Sequence, residues 1–255
     1  MNLRRLRAHW DAWGRRDPFW AVLTQLDKKG NRWDAGAFFA TGVVEVDALL
    51  DEVRGLVPSL ALGTALDFGC GLGRLTQGLA RHFAVVTGVD IAPSMIEAAE
   101  RYNQWPDRCR FAIIEGGDLR GFADSTCDLV CSLITLQHVE PRYARGYIAE
   151  FVRVAAPGGV VCFQVPSGRM SPGPEASWLE RLKARLRAAM PHVARLYDEV
   201  KGALSQGPRM EAHAIPEAEV RTALEAAGAV VVAVRDDKST GPGWNSRRYV
   251  AVKRR

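Results

Sequence analysis

No stretch of this 255-residue chain approaches the roughly 20 consecutive apolar residues of a membrane-spanning helix, so an integral membrane protein is not expected. The opening residues, Met1 to Trp10, carry Arg4, Arg5 and Arg7 but no apolar core follows them, which argues against a secretory signal. Cysteine is scarce and poorly arranged for pairing: there are five, an odd number, and no C-x-x-C pair. Cys70, Cys109, Cys127, Cys131 and Cys162 therefore read as buried, reduced thiols of a cytoplasmic protein, with neither a disulfide framework nor a metal site expected.

Blocks of a single charge are missing too. The net charge of +5 comes from basic residues scattered between Arg4 and Arg16, Arg181 and Arg187, and Arg247 and Arg255. Solvated helix faces account for that scatter better than a nucleic-acid surface, so nucleic acid is not an expected partner. With 47% apolar and 25% charged residues, the composition suits a globular chain able to bury a sizeable core.

What the chain does have is rhythm. Residues 1–60 read as a helical cap, with a start at Asp17-Pro18 and a clear helix from Gly42 to Val57, ended by Pro58. Trp10, Trp13, Phe19, Trp20, Trp33, Phe38 and Phe39 crowd this cap, either to dock its helices or to wall a pocket. From residue 61 onward, strands and helices alternate. Runs such as Ala84-Val85-Val86-Thr87-Gly88-Val89 suit parallel strands covered on both faces. The expected class is therefore α/β, a doubly wound, Rossmann-like sheet. A helical hairpin is expected as an insertion at about 168–208, with Trp178, Leu179, Leu182 and Leu186 on one helix and Val193, Leu196, Tyr197, Val200 and Leu204 on the next. The last two strands, joined by a short loop, should pair antiparallel.

The chemistry concentrates at strand ends. Strand Thr64–Asp67 runs into Gly69-Cys70-Gly71-Leu72-Gly73, where glycines permit a tight turn and close approach to a ligand. Asp90 ends the second strand, placed to accept from two ribose hydroxyls, and Ile91 beside it suits an adenine face. Asp118, past the third strand, can accept from an adenine amino group. Carboxylates at the ends of three successive strands converge on one crevice. The dinucleotide pattern G-x-G-x-x-G fails, because Arg74 and Thr76 stand where its last glycine belongs. Asp67 ahead of the loop would repel a diphosphate and suits a ligand with an ammonium group.

Asp67-Phe68-Gly69-Cys70-Gly71-Leu72-Gly73-Arg74, Gly88-Val89-Asp90-Ile91-Ala92-Pro93-Ser94-Met95, Gly117-Asp118-Leu119, Cys127-Asp128-Leu129-Val130 and Ala156-Pro157-Gly158-Gly159 together resemble the successive motifs of class I S-adenosylmethionine-dependent methyltransferases. The resemblance covers about residues 60–166 and implies a seven-stranded sheet in the order 3-2-1-4-5-7-6 with one antiparallel strand. It implies S-adenosylmethionine as cofactor. Gly69, Gly71 and Gly73 would approach its methionine part, Asp67 and the Leu133 carbonyl its ammonium group, Asp90 its ribose, and Asp118 and Leu119 its adenine. Cys70, Ile91 and Met95 of the same motifs join this set. Arg74 would reach the methionine carboxylate or serve as an ordinary surface arginine. Cys127 stands where the family more often has an aromatic residue.

Methyl transfer needs a general base only for some acceptors. His138, in the loop after the fourth strand, is the first candidate; His213, before Pro216, is the second. Both have a plain alternative as residues that fix loops. The expected reaction moves a methyl group to O, N or C of a small molecule, with no membrane partner and a monomer or homodimer as the assembly. Methylation of RNA or protein, and cofactor binding without transfer, are the alternatives.

Overall fold

The computed structural model describes residues 1–171, 177–190, 193 and 207–255. Helix α1 (Leu3–Arg16) starts at Asn2, whose side chain accepts from Arg5 N, and ends with Arg15 and Arg16 where the helix dipole favours cations. A short α2 (Pro18–Val22) follows, with Pro at its first position. Helix α3 (Ala35–Leu56) begins seven residues before the expected Gly42, because Asp34 caps it through Ala37 N at 2.8 Å.

The sheet follows: β1 (Thr64–Phe68), α4 (Arg74–Leu79), β2 (Val85–Asp90), α5 (Pro93–Arg101), β3 (Cys109–Ile113), β4 (Cys127–Ser132), α6 (Pro141–Val154) and β5 (Ala155–Arg169). Helix α7 (Trp178–Ala189) comes next, and α8 (Glu217–Ala226), β6 (Ala229–Asp237) and β7 (Trp244–Lys253) complete the chain. The strand order is β3-β2-β1-β4-β5-β7-β6. β7 runs antiparallel to both β5 and β6, and the other pairings are parallel. The order implied by the family resemblance is thus the order observed. Of the expected hairpin, α7 is present; Leu196, Tyr197, Val200 and Leu204 of its second helix lie outside the described residues. Strand β5 is longer than the expected Gly159–Pro166, because its pairing with β7 continues to Arg169 opposite Trp244.

Alternation along each strand divides the core between two faces. Leu66, Phe68, Val130, Val161 and Phe163 point to the side of Tyr147, Phe151 and Leu224 from α6 and α8. Ala65, Leu129, Cys131, Val160 and Cys162 point to the side of Val46, Leu50, Leu75 and Leu79 from α3 and α4. All five cysteines are buried and free, each thiol behaving as a small apolar group. A third cluster joins Phe19, Phe38 and Phe39 to Met95 and Ala98 of α5, with Phe19 and Phe38 edge to face at 4.9 Å. Most of the aromatic residues of the first forty thus dock the N-terminal helices. Among the described residues, no helix is long and apolar enough to cross a membrane.

The order reverses between β1 and β4, so the loops leaving their carboxyl ends part and open a crevice. Helix α4 sets one wall of it and is itself set by α3. A Cβ on Gly42 would lie 2.2 Å from the Arg74 carbonyl oxygen, and one on Gly78 would lie 2.9 Å from the Gly42 oxygen. Neither neighbour is a side-chain tip that can swing aside. Gly42→Ala is expected to separate the two helices and cost about 1–3 kcal/mol, read as a lower urea midpoint at unchanged m-value; an unchanged midpoint would show that the helices part freely.

Candidate functional site

The crevice is a cleft of about 870 Å³, open mouth included, floored by the ends of β1 and β4 and walled by the loops after β1, β2 and β4. Its glycine loop is held from below. Gly69 N and Cys70 N both donate to the Val89 carbonyl, at 2.7 and 3.0 Å, and Gly73 N donates to Cys70 O. Gly69 has φ +75° and Gly71 φ +52°, the left-handed region that a side chain disfavours. Space is as short as conformation: a Cβ on Gly69 would sit 2.1 Å from the Thr135 methyl, and one on Gly71 would sit 2.7 Å from a Val22 methyl.

Two carboxylates face this loop, one buried and one half-buried. Asp90 accepts from Gly71 N on one oxygen (3.0 Å) and from Ala92 N on the other (2.9 Å), which leaves each oxygen able to accept once more. Burial pushes its carboxyl up, opposed by those backbone donors. Asp67 is 1% exposed and accepts the Thr76 hydroxyl at 2.6 Å. Burial raises its carboxyl to about 6, against the Thr76 hydroxyl and the Arg74 charge, which favour ionisation.

Arg74 is buried rather than superficial. Its guanidinium pairs with Glu45 of α3 at 2.7 Å, while its Nε, also buried, has no hydrogen-bond partner among the described residues. On the opposite wall, Ser132 donates to the Phe68 carbonyl (3.0 Å) and Thr135 to the carbonyls of Leu133 and Gly69 (3.1 and 3.3 Å). These bonds clamp the β4 loop to the β1 loop.

Asp67, Gly69, Cys70, Gly71, Arg74, Asp90, Ile91, Met95, Leu133 and His138 all line the cleft. Gly73 stands just behind it, capping α4 at φ +79°. Asp118 and Leu119 are not in the lining. Asp118 is paired with Arg120 at 2.6 Å, which holds its carboxyl down at about 2, and the Leu119 side chain is buried in the core while its N–H donates to Glu150 at 2.7 Å. His213 also lies outside the lining, its N–H bonded to Gln137 O at 2.7 Å and its ring 3.5 Å from the Glu211 carboxylate. His138 is beside the cleft with both ring nitrogens in hydrogen bonds, and burial lowers its imidazole to about 4.

The lining includes residues that strand-end reasoning does not reach. Leu3, Leu6 and Trp10 of α1 roof the cleft, with Ala21 and Val22 of α2, and Trp10 meets the His138 ring edge-on at 4.9 Å. Their spacing, three and four apart, was the available signal. Helix α1 is fastened to α5 by Asp11, whose carboxylate accepts Ser94 N (2.9 Å) and whose carbonyl accepts the Ser94 hydroxyl (2.8 Å). Ile114 and Tyr147 complete the far wall, the Tyr147 hydroxyl donating to Gly116 O at 2.6 Å.

A carboxylate with spare acceptor capacity, a second buried carboxylate for a cation, a loop with no room for Cβ atoms and an apolar slot describe a nucleoside ligand carrying an amino-acid tail. Comparison with known proteins agrees. Residues 66–163 match the family model described as a methyltransferase domain. Trans-aconitate 2-methyltransferase of Variovorax paradoxus is 30% identical over 189 residues, covering 65% of this chain and 70% of that protein. The chain belongs to the class I S-adenosylmethionine-dependent methyltransferases. Demethylmenaquinone methyltransferase of Tropheryma whipplei is 34% identical over 139 residues, covering 51% of each chain, so the match spans about half the length of that family member. Among solved family folds, magnesium protoporphyrin IX methyltransferase of Synechocystis with bound S-adenosylhomocysteine aligns over 98% of this chain and 99% of its own, at a TM-score of 0.63 and 18% identity.

An acid whose pKa rises on folding costs stability once it ionises. The cost is absent below the usual carboxylate value, grows towards about 6 for Asp67, and is complete above it. Asp67→Asn is therefore expected to raise stability by on the order of 1 kcal/mol at about pH 7.5 and to leave it unchanged near pH 4, read from urea midpoints. The same variant should bind S-adenosylhomocysteine at least about tenfold more weakly by calorimetry.

Proposed function

We propose that the protein transfers a methyl group from S-adenosylmethionine to a small-molecule acceptor. The observation that carries this reading is the pair of carboxylates, buried Asp67 and half-buried Asp90, set across a glycine loop beneath one apolar roof. The cofactor, when bound, supplies an electrophilic methyl group on a sulfonium with a neutral leaving group. In this reading Asp90 accepts the ribose hydroxyls with the lone pairs left free by Gly71 and Ala92. Asp67 and the Leu133 carbonyl take the ammonium group, and the unpartnered Arg74 Nε serves the carboxylate. Ile91, Met95 and Ile114 make the apolar sides of the adenine slot.

Asp118 and Leu119 belong to its polar edge only if Arg120 and Glu150 release them. Gly69, Cys70, Gly71 and Gly73 shape the floor. Much of the rate then comes from holding nucleophile and methyl group in line, since the leaving group needs no acid. The roof of Leu3, Leu6 and Trp10 excludes water from the reacting end.

In this reading Trp10 and His138, which both line the cleft, bound the end that takes the acceptor. A small molecule suits a deep cleft with an apolar roof, and the names of relatives fit it: trans-aconitate in one case, and a malonyl group on a carrier protein in another, 36% identical over 144 residues from Halorhodospira halophila. A second reading, cofactor binding without transfer, has one observation behind it. A cyclase shares the fold at a TM-score of 0.54 and 18% identity, so the architecture alone does not fix the reaction.

Incubation of the protein with S-adenosylmethionine and a metabolite extract is expected to release S-adenosylhomocysteine and to yield a product heavier by one methylene unit by mass spectrometry. Asp90→Ala should abolish both. Tight S-adenosylhomocysteine binding with no product from any extract would favour the second reading.

A further inference from the structure

The loop after β4 holds a strained residue that cofactor binding leaves unexplained. Ile134 has φ +60°, a left-handed conformation that a β-branched residue rarely takes and that costs on the order of 1–3 kcal/mol. Its N–H donates to Oε1 of Gln164 at 3.0 Å. Gln164 sits on β5 in the core and is fully buried, and this bond fixes which way its amide points. With Oε1 on the Ile134 N–H, Nε2 faces three oxygens: Thr240 Oγ1 (2.7 Å), Gln137 Oε1 (3.3 Å) and Ser246 Oγ.

Gln137 is oriented in turn. Its oxygen faces Gln164, so its amide nitrogen faces Nε2 of His138 at 3.0 Å and donates to it. A ring nitrogen that accepts carries no proton. The His138 proton is therefore on Nδ1, where it donates to the Glu211 carbonyl at 2.7 Å. One direction of polarity runs from the Ile134 N–H through two amides and a ring to a backbone carbonyl.

We propose that Gln164, acting through Gln137, is a positioning residue that holds His138 as its neutral Nδ1–H tautomer, so that the ring walls the acceptor end of the cleft and takes no proton from the acceptor, which is a carboxylate. The tautomer stands on the hydrogen bonds alone; the acceptor rests on the methyl-transfer reading. His138 has no lone pair left to act as a base. Among the other ionisable side chains of the described lining, Asp67, Asp90 and Arg74 serve the cofactor, and Cys70 and Tyr147 are buried acids pushed well up. With no base in the described lining, the acceptor atom must attack without a proton to lose, as a carboxylate oxygen does at neutral pH and an alcohol or an ammonium does not. The new O–CH3 bond forms from that lone pair while the S–CH3 bond breaks with its electron pair left on sulfur, and no proton moves.

The surroundings of His138 support the neutral form. Trp10 covers one side, burial holds the imidazole at about 4, and a charged His213 would push it the same way. The Glu211 carboxylate, which would push it up, lies against the His213 ring.

The test uses the full-length, 15N-labelled protein. Long-range 1H–15N spectra report the tautomer of each histidine, and the His138 signals are those lost in His138→Gln. The wild type is expected to show protonated Nδ1 and bare Nε2, with no titration above about pH 5. Gln164→Glu keeps an acceptor for Ile134 but turns a carboxylate on Gln137, whose amide then flips and offers its oxygen to Nε2. His138 should take a second proton and titrate about one unit higher or more. Gln137→Glu, which places the carboxylate directly on Nε2, gives the same shift and covers the case where the first variant fails to fold. A wild-type Nε2–H tautomer, or no shift in either folded variant, overturns the relay. Methylated products from the extract should be esters that mild alkali cleaves; alkali-stable methyl ethers or amines overturn the carboxylate assignment. Failure of the wild type to bind S-adenosylhomocysteine would instead sink the methyl-transfer reading and leave the tautomer standing.

Discussion

Asp90 takes one backbone N–H on each carboxylate oxygen, and the cleft depends on that division. Gly71 donates from the loop after β1 and Ala92 from the turn into α5, so a single side chain ties two crossover connections together at the carboxyl ends of two neighbouring interior strands. Both donors belong to backbone, so the geometry survives changes in most neighbouring side chains. The bond also explains the burial of a carboxylate. Charge-assisted hydrogen bonds offset part of the desolvation, and the remaining acceptor capacity has to be met by something from outside.

Around that tie, opposite charges are kept apart or matched at short range. Arg74 is neutralised by Glu45 from a helix that precedes the sheet, whereas Asp67, with no cation in contact among the described residues, accepts the Thr76 hydroxyl. The floor of the cleft therefore carries unspent negative charge, whereas its roof is apolar. A ligand with a positive centre near β1 and an uncharged face towards α1 satisfies both.

Much of this was legible in the chain itself. Asp67 and Asp90 fall at strand ends because apolar runs stop there, and a parallel sheet places successive strand ends on one side. The five-residue spacing from Gly69 to Gly73 sufficed to set the loop, and the family motifs supplied a strand order that alternation alone does not give. Other features needed coordinates. Nothing local marks Ile134 as left-handed, since its partner Gln164 is thirty residues away on another strand. Asp118 was read as open towards a ligand although Arg120, two residues on, is close enough to claim it. Trp10 was read as docking a helix or walling a pocket, and it does line the cleft. Leu3 and Leu6 escaped because α1 precedes the sheet by some fifty residues and is brought over the crevice by its packing on α5 through Asp11 and Ser94. The β4 loop, in contrast, was placed correctly beside the cleft while the hydrogen bonds of His138 remained hidden.

Leu3, Leu6 and Trp10 meet the cleft and pack against the core beside it, whereas Asp11 supplies the hydrogen bonds that fasten α1 to Ser94 of α5. The hydrogen-bonded anchor and the contact with the cleft thus fall to different residues of one helix. Exchange of those three side chains for apolar ones of another shape would alter the chamber while leaving the Asp11–Ser94 anchor and the floor in place. A lineage carrying this fold can in that way drift from one acceptor to another by substitution at a single stripe, without first losing its grip on the methyl donor.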